Sequence, residues 1–443
     1  MCLLYDGLTR CLPGNDVELA VAQKIDVSPD GTVYTFHLRN STWNDGSPVT
    51  AYDFERSWKR ALSEPSPCAY LFYPIVHAEA AVRKTKSLDD VGIQALNART
   101  LQVRLEKPTP HFLSLTAFPS FLPVAETDAV NGPFVMQKTV PNGQIVLKKN
   151  PAFWNARNIH LDGMEFSVIS DENTAWKLFE QGKLDWMGGA LSPLPWETLA
   201  SNQNIAWSPM AATTFCTFNA EDTLFSNEKI RQAFAMAIDR EQIGREVLHG
   251  TQLVPKGCVP PGLWDEQVPE TLPTHDPTLA RKLFLEGCQE QNIDPTQPVH
   301  LSIRANHVDR LLAQILQWQW KEVLGAETVI HQTDTKALKE LLHQRKYQVA
   351  ISNWIAQYHD PMNILERFKS RTNVKNYPGW ENAKFLSLVE QGFLREAEVI
   401  LAKSCVIAPI YHWQMASIYN HRIKNMHTTS NGGVLFERTF IEE

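Results

Sequence analysis

No run of about 18 apolar residues occurs in this chain, so nothing in it reads as a membrane-spanning helix. Basic residues are not in excess either. Against 42 Lys and Arg stand 49 Asp and Glu, a net charge of −7, which argues against a nucleic-acid partner. Motifs of chemistry are missing as well: there is no GxSxG, HExxH, Walker A or GxGxxG, and no carboxylate pair is singled out. The chain is therefore not expected to be an enzyme. The seven Cys (2, 11, 68, 216, 258, 288 and 405) are scattered without a CxxC, which argues against zinc. Their odd count leaves at least one free thiol, and the count alone does not fix a redox compartment. No His-x-x-His or tight His/Cys cluster supports a bare metal, and no cofactor is expected. Internal repeats and low-complexity segments are absent.

What is present fits a folded, multi-domain protein. With 443 residues, 43% hydrophobic and 21% charged, the chain is too long for one ordinary core and too apolar for disorder. Ser28-Pro29-Asp30-Gly31 is a turn signal, since Pro presets one φ and Gly accepts a positive one. Tyr34, Phe36 and Leu38 then alternate with Thr35, His37 and Arg39, as in a half-buried strand. Asn44-Asp45-Gly46 turns the chain again. Thr50 with Asp53 signals a helix start, and Phe54, Trp58, Ala61 and Leu62 follow on one face. Farther on, Asp276-Pro277 opens a helix as N-cap and first-turn pair. Segments 299–303, 311–324, 328–331, 337–345 and 347–352 alternate as β-α-β-α-β, which calls for parallel strands joined by helical crossovers.

Longer stretches carry a resemblance. "Asp-Gly-x-x-Tyr-Thr-Phe-His-Leu-Arg", "Trp-x-Asp-Gly-x-Pro-Val-Thr-Ala-x-Asp-Phe" and a helical "Ser-Trp-x-Arg" resemble the signature of family 5 extracellular solute-binding proteins, the peptide receptors of bacterial ABC importers. "Asn-Gly-Pro-Phe", "Asn-Pro-x-Phe-Trp" and the block from Asn227 to Arg240 match the same family farther along. The resemblance implies an α/β, two-lobed periplasmic-binding-protein-like fold with an extra domain, mixed sheets and a hinge. Residues 1–12, 128–218 and 412–443 would form the first lobe, 13–127 the extra domain and 219–411 the second lobe. It also implies a monomer that captures a short peptide and delivers it to an ABC permease, in the periplasm or at the outer face of the cytoplasmic membrane. A modified peptide, such as murein tripeptide or glutathione, is the alternative ligand. A peptide-holding chaperone or surface adhesin is the alternative function. The family's export signal and first strand have no counterpart before Leu4-Tyr5-Asp6-Gly7, so a truncated chain is expected, with Cys2 an ordinary cysteine.

Site residues follow from the same resemblance. Open α/β sheets bind ligands beyond the carboxyl ends of their strands. Asn353-Trp354-Ile355-Ala356-Gln357 directly follows the expected strand 347–352, and the matching family loop lines the interlobe cleft. Trp354 matches the family Trp that packs on the ligand, although a core role is the plain alternative. Gln357 stands where the family has the Asp that pairs the peptide α-amino group. Asp360 reads instead as a helix cap before Pro361. Cys68 replaces a cleft Tyr, with Tyr70 two residues on. Thr335 stands for a Trp, Asp309 aligns with a family His, and His412 and Trp413 lie on a stretch that feeds an aromatic into the cleft. The implied pocket is a rewritten peptide site.

Overall fold

The computed structural model describes residues 2–12, 16–64, 66, 68–189, 194, 195, 198, 199, 204–264 and 270–442. The chain forms two compact units, Met1–Pro195 with Ser417–Glu443, and Trp196–Ala416. The sequence places the crossovers near 218 and 412. The two units change over in sequence between 195 and 196 and between 416 and 417, the second change lying within the long strand Ile407–Tyr419.

In the first unit, a hairpin of β1 (Thr9–Cys11) and β2 (Val17–Leu19) leads into an antiparallel four-stranded sheet. Its strands are β3 (Ala22–Val27), β4 (Val33–Leu38), β5 (Ile93–Asn97) and β6 (Thr100–Arg104), in the order β3-β4-β6-β5. The β3–β4 turn is the expected one. Gly31 takes φ +68°, a conformation that a side chain would disfavour, and its N–H donates to the Ser28 carbonyl at 2.8 Å. Tyr34, Phe36 and Leu38 point into the core, as the alternation requires. Helix α1 (Ala51–Ser63) starts at the Thr50–Asp53 box, where the Thr50 N–H donates to Asp53 Oδ2 at 2.8 Å. Phe54 and Trp58 are fully buried on its inner face, and the Trp58 indole donates to the Phe121 carbonyl at 2.7 Å.

The Asn131-Gly132 motif has a packing explanation. Asn131 holds Asp6 from both sides, with Oδ1 accepting from its N–H at 3.1 Å and Nδ2 donating to its carbonyl at 3.0 Å. A Cβ on residue 132 would meet the Leu4 backbone at 2.5 Å, so only glycine allows the approach. Beyond it, β7 (Phe134–Val140), β8 (Gln144–Lys149) and β9 (Gly163–Ser167) make an antiparallel three-stranded sheet. A short β10 (Trp186–Gly188) follows.

The second unit is built on β11 (Ala206–Phe218), β12 (Val299–Arg304), β13 (Thr328–Thr333), β14 (Val349–Ile355) and most of β15 (Ile407–Tyr419). The strand order is β15-β11-β14-β12-β13, and Ser417–Tyr419, the end of β15 that belongs to the first unit, pairs antiparallel with β10 there. Helices His307–Leu324 and Thr335–His343 are the crossovers that make β12 parallel to both β13 and β14. β11 runs antiparallel to β14, so the sheet is mixed. The 299–352 alternation thus forms in the order the sequence calls for, with shifted ends: the helices begin at 307 and 335 rather than 311 and 337, and β14 runs from 349 to 355 rather than from 347 to 352. Ala212–Thr214 of β11 supply the pairing for 353–355, which makes strand of a segment read as loop. Phe218, Phe234, Leu301, Ile303 and Trp320 share one core cluster, and Phe215, Trp354, Phe385 and Leu401 share another. Asp276 caps its helix as expected, accepting from the Leu279 N–H at 2.9 Å. Among the described residues no helix is long and apolar enough to cross a membrane.

Candidate functional site

β14 divides the nominated residues by its pleat. Asn353 and Ile355 stand on one face, half-buried, opposite Thr214 and Ala212 of β11. Trp413 of β15 donates its indole N–H to Thr214 Oγ1 at 2.9 Å. Asn353 and Trp413 therefore converge on Thr214, a residue with no signature in the sequence beyond its place on a strand. Trp354 points the other way. It is 7% exposed, packs with Phe215, and donates its indole N–H to Asn363 Oδ1 at 2.9 Å. The Arg367 guanidinium lies 4.1 Å from its ring centroid, a cation–π contact. Gln357 is half-buried just past the strand, where its amide turns back to donate to the Ile355 carbonyl. Asp360 accepts from the Met362 N–H at 2.7 Å, but the N-cap of the helix Met362–Leu365 is Pro361, so Asp360 stands one residue before the cap expected of it.

Asp309 and His412 are enclosed. Both Asp309 oxygens accept from Arg304, at 2.7 and 2.8 Å, in a fork that ties the helix start to the end of β12. Thr335 opens the helix Thr335–His343, behind the Asp334 cap. His412 is 1% exposed, and the Gly257 backbone is a polar neighbour of its ring. Burial pushes its pKa down to about 3, so the ring is neutral at any ordinary pH. Its backbone is bridged to Leu253 in both directions, at 2.9 and 3.0 Å. Cys68 and Tyr70 belong to the first unit. Both are half-buried, at the 3-10 turn Ala69–Phe72.

The first unit also holds a cavity of about 550 Å³, in the range of small-molecule sites. Arg10, Glu18, Trp154, His160, Glu437 and Arg438 are among its walls, and none of the nominated residues is. Its charges are balanced. Arg10 stacks 5.1 Å from the Trp154 ring centroid and pairs with Asp6 at 3.2 Å, while Glu18 pairs with Arg438 at 3.0 Å. The Trp154 indole donates to Asp6 Oδ2 at 2.7 Å. Burial raises the Asp6 pKa against the pull of Arg10, and burial raises Glu437 too. Guanidinium and carboxylate groups around an aromatic wall can receive a ligand that carries both charges. Three segments far apart in sequence build this wall, so no local motif points to it beyond Trp154 of Asn-Pro-x-Phe-Trp. Among the described residues no group of three or more His, Cys, Asp or Glu is placed to hold a metal ion.

Comparison with known proteins gives these features a context. The model of the bacterial extracellular solute-binding proteins, family 5, matches residues 16–376. The oligopeptide-binding protein OppA of Bacillus subtilis is 31% identical over 99% of this chain and 87% of its own length. The periplasmic murein peptide-binding protein MppA of Escherichia coli is 25% identical over 98% of this chain and 87% of its own. Among solved structures, Listeria monocytogenes OppA bound to peptide superposes with a TM-score of 0.82 at 25% identity, covering 99% of this chain and 93% of that one. The chain belongs to the family 5 bacterial extracellular solute-binding proteins.

Proposed function

We propose that this chain is the receptor of a bacterial ABC importer. It captures a short peptide outside the cytoplasmic membrane and passes it to the permease, acting as a monomer by binding and release rather than by turnover. The observation that carries the reading is the likeness to an oligopeptide-binding protein along nearly the whole chain. The charge-balanced cavity of the first unit supports it, because a peptide brings an ammonium and a carboxylate together. In the second unit the ligand-facing residues would be Asn353, Ile355, Gln357 and Trp413, around Thr214.

A murein-type peptide is the second reading. What favours it is Gln357, which offers a peptide ammonium a dipole where a carboxylate would serve better, together with the murein peptide-binding relative. Gln357→Asp separates the two. If an ordinary peptide places its ammonium there, the new charged hydrogen bond is worth about 1.5–3 kcal/mol, and calorimetry should show binding at least about ten-fold tighter. If the natural ligand meets Gln357 with a neutral or anionic group, the same change weakens its binding. No change for either ligand places Gln357 outside the site.

A further inference from the structure

The parallel pair β12–β13 presents a feature that peptide capture does not use. The register sets His300 opposite Val329 and Ser302 opposite His331, so the two histidines share one face as diagonal neighbours. The other face turns Leu301 and Ile303 into the core. His300 Nδ1 lies 2.8 Å from His331 Nε2, the ring centroids are 5.0 Å apart, and the planes are inclined by 34°. Both residues are exposed, and β13 is the edge of its sheet. The His300 N–H donates to Gln348 Oε1 at 2.9 Å, which holds the strand end in place.

We propose that His300 and His331 form a two-imidazole surface site for a divalent transition-metal ion of the Ni²⁺ or Cu²⁺ kind, with water completing the coordination shell. In the neutral pair one ring donates an N–H to the lone pair of the other. When a metal enters, that proton moves through solvent to the outer nitrogen of its own ring. Both inner nitrogens then offer lone pairs, and neither ring loses neutrality. The spacing selects the ion. With metal–nitrogen bonds of about 2.0–2.1 Å, two ligands at a right angle hold their nitrogens about 2.9 Å apart, and a tetrahedral pair about 3.4 Å. The 2.8 Å between the nitrogens is set by their hydrogen bond, and the opening needed to reach the right-angle spacing of square or octahedral sites is smaller than that to the tetrahedral one, which favours nickel or copper over zinc. Strands hold both ligands, so little rearrangement is needed beyond a tilt of each ring. A bound ion would tie the edge strand to its neighbour and stabilise the second unit by mass action.

The test is calorimetric titration of the full, untagged, chelator-stripped chain with nickel chloride alone. One saturable Ni²⁺ site is expected, weakened at least about ten-fold in His300→Ala and in His331→Ala and unchanged in His307→Ala, another exposed histidine of the same unit. His331→Gln, which keeps a polar side chain on the edge strand, should lose the site equally. With Cu²⁺ as a spectroscopic probe, the native chain should show hyperfine coupling to two imidazole nitrogens and each single variant to one. Nickel binding that is absent from the native chain, or equal in all variants, overturns the site. Tighter binding of Zn²⁺ than of Ni²⁺ overturns the geometric assignment.

Discussion

Replacing Trp354 with alanine should cost the second unit about 3–5 kcal/mol, the scale of a large aromatic removed from a packed core. The indole shares the Phe215 core cluster, lies under the Arg367 guanidinium and places its N–H on Asn363, so its loss opens a cavity and leaves a buried amide oxygen without its donor. Trp354→Phe should recover part of that, leaving a deficit of about 1–3 kcal/mol for the buried amide oxygen that loses its donor. Chemical denaturation of the three proteins measures both steps. Peptide affinity, measured well below the unfolding transition, should change less than stability does, because the ring faces the core and not the Thr214 side of β14. An alanine variant that unfolds like the native chain but no longer binds peptide would assign Trp354 to the ligand instead.

Glu398 should make the protein less stable as pH rises from 4.5 to about 7. Its carboxyl is 0% exposed on the helix Leu394–Ser404. Oε1 accepts from the Val259 N–H at 2.8 Å, and the Cys258 backbone also hydrogen-bonds the carboxyl, both opposing the effect of burial. Burial raises its pKa from 4.5 to about 7. The folded state therefore holds this proton more tightly than the unfolded chain does. That contribution is fully present below pH 4.5 and is lost as pH climbs through about 7. At 1.36 kcal/mol per pKa unit, the loss amounts to about 3 kcal/mol. Glu398→Gln cannot ionise and should be free of it. The stability difference between variant and native chain should thus grow in favour of Gln between pH 4.5 and about 7 and level off above. A difference independent of pH would show that the carboxyl is solvated in solution.

Legibility in the sequence followed the range of the interaction. Turns and caps at Ser28–Gly31, Thr50–Asp53 and Asp276-Pro277 are satisfied within four residues, so the local sequence announces them. The Asn131-Gly132 motif is equally visible, yet its cause is long-range, a close approach of Leu4 and Asp6 that no spacing rule reveals. The end of β14 was out of reach for a similar reason, since Asn353 to Ile355 are held as strand by β11, more than a hundred residues upstream. Asp309 aligned with a family site residue, but its fork to Arg304 shows a carboxylate committed to fixing a helix start. His412 shares that character, being enclosed and neutral. The cavity at Arg10 and Glu437 shows in the sequence only through Trp154 of the Asn-Pro-x-Phe-Trp motif, and the His300–His331 pair not at all, because each exists only once distant segments meet in a set register.

Native mass spectrometry of the chain mixed with a random library of tri- to pentapeptides tests peptide capture most directly. Our account predicts adducts of one peptide per chain, displaced by an excess of any single tight-binding member. The chain remaining unliganded across the whole library, after removal of anything carried through purification, would contradict it.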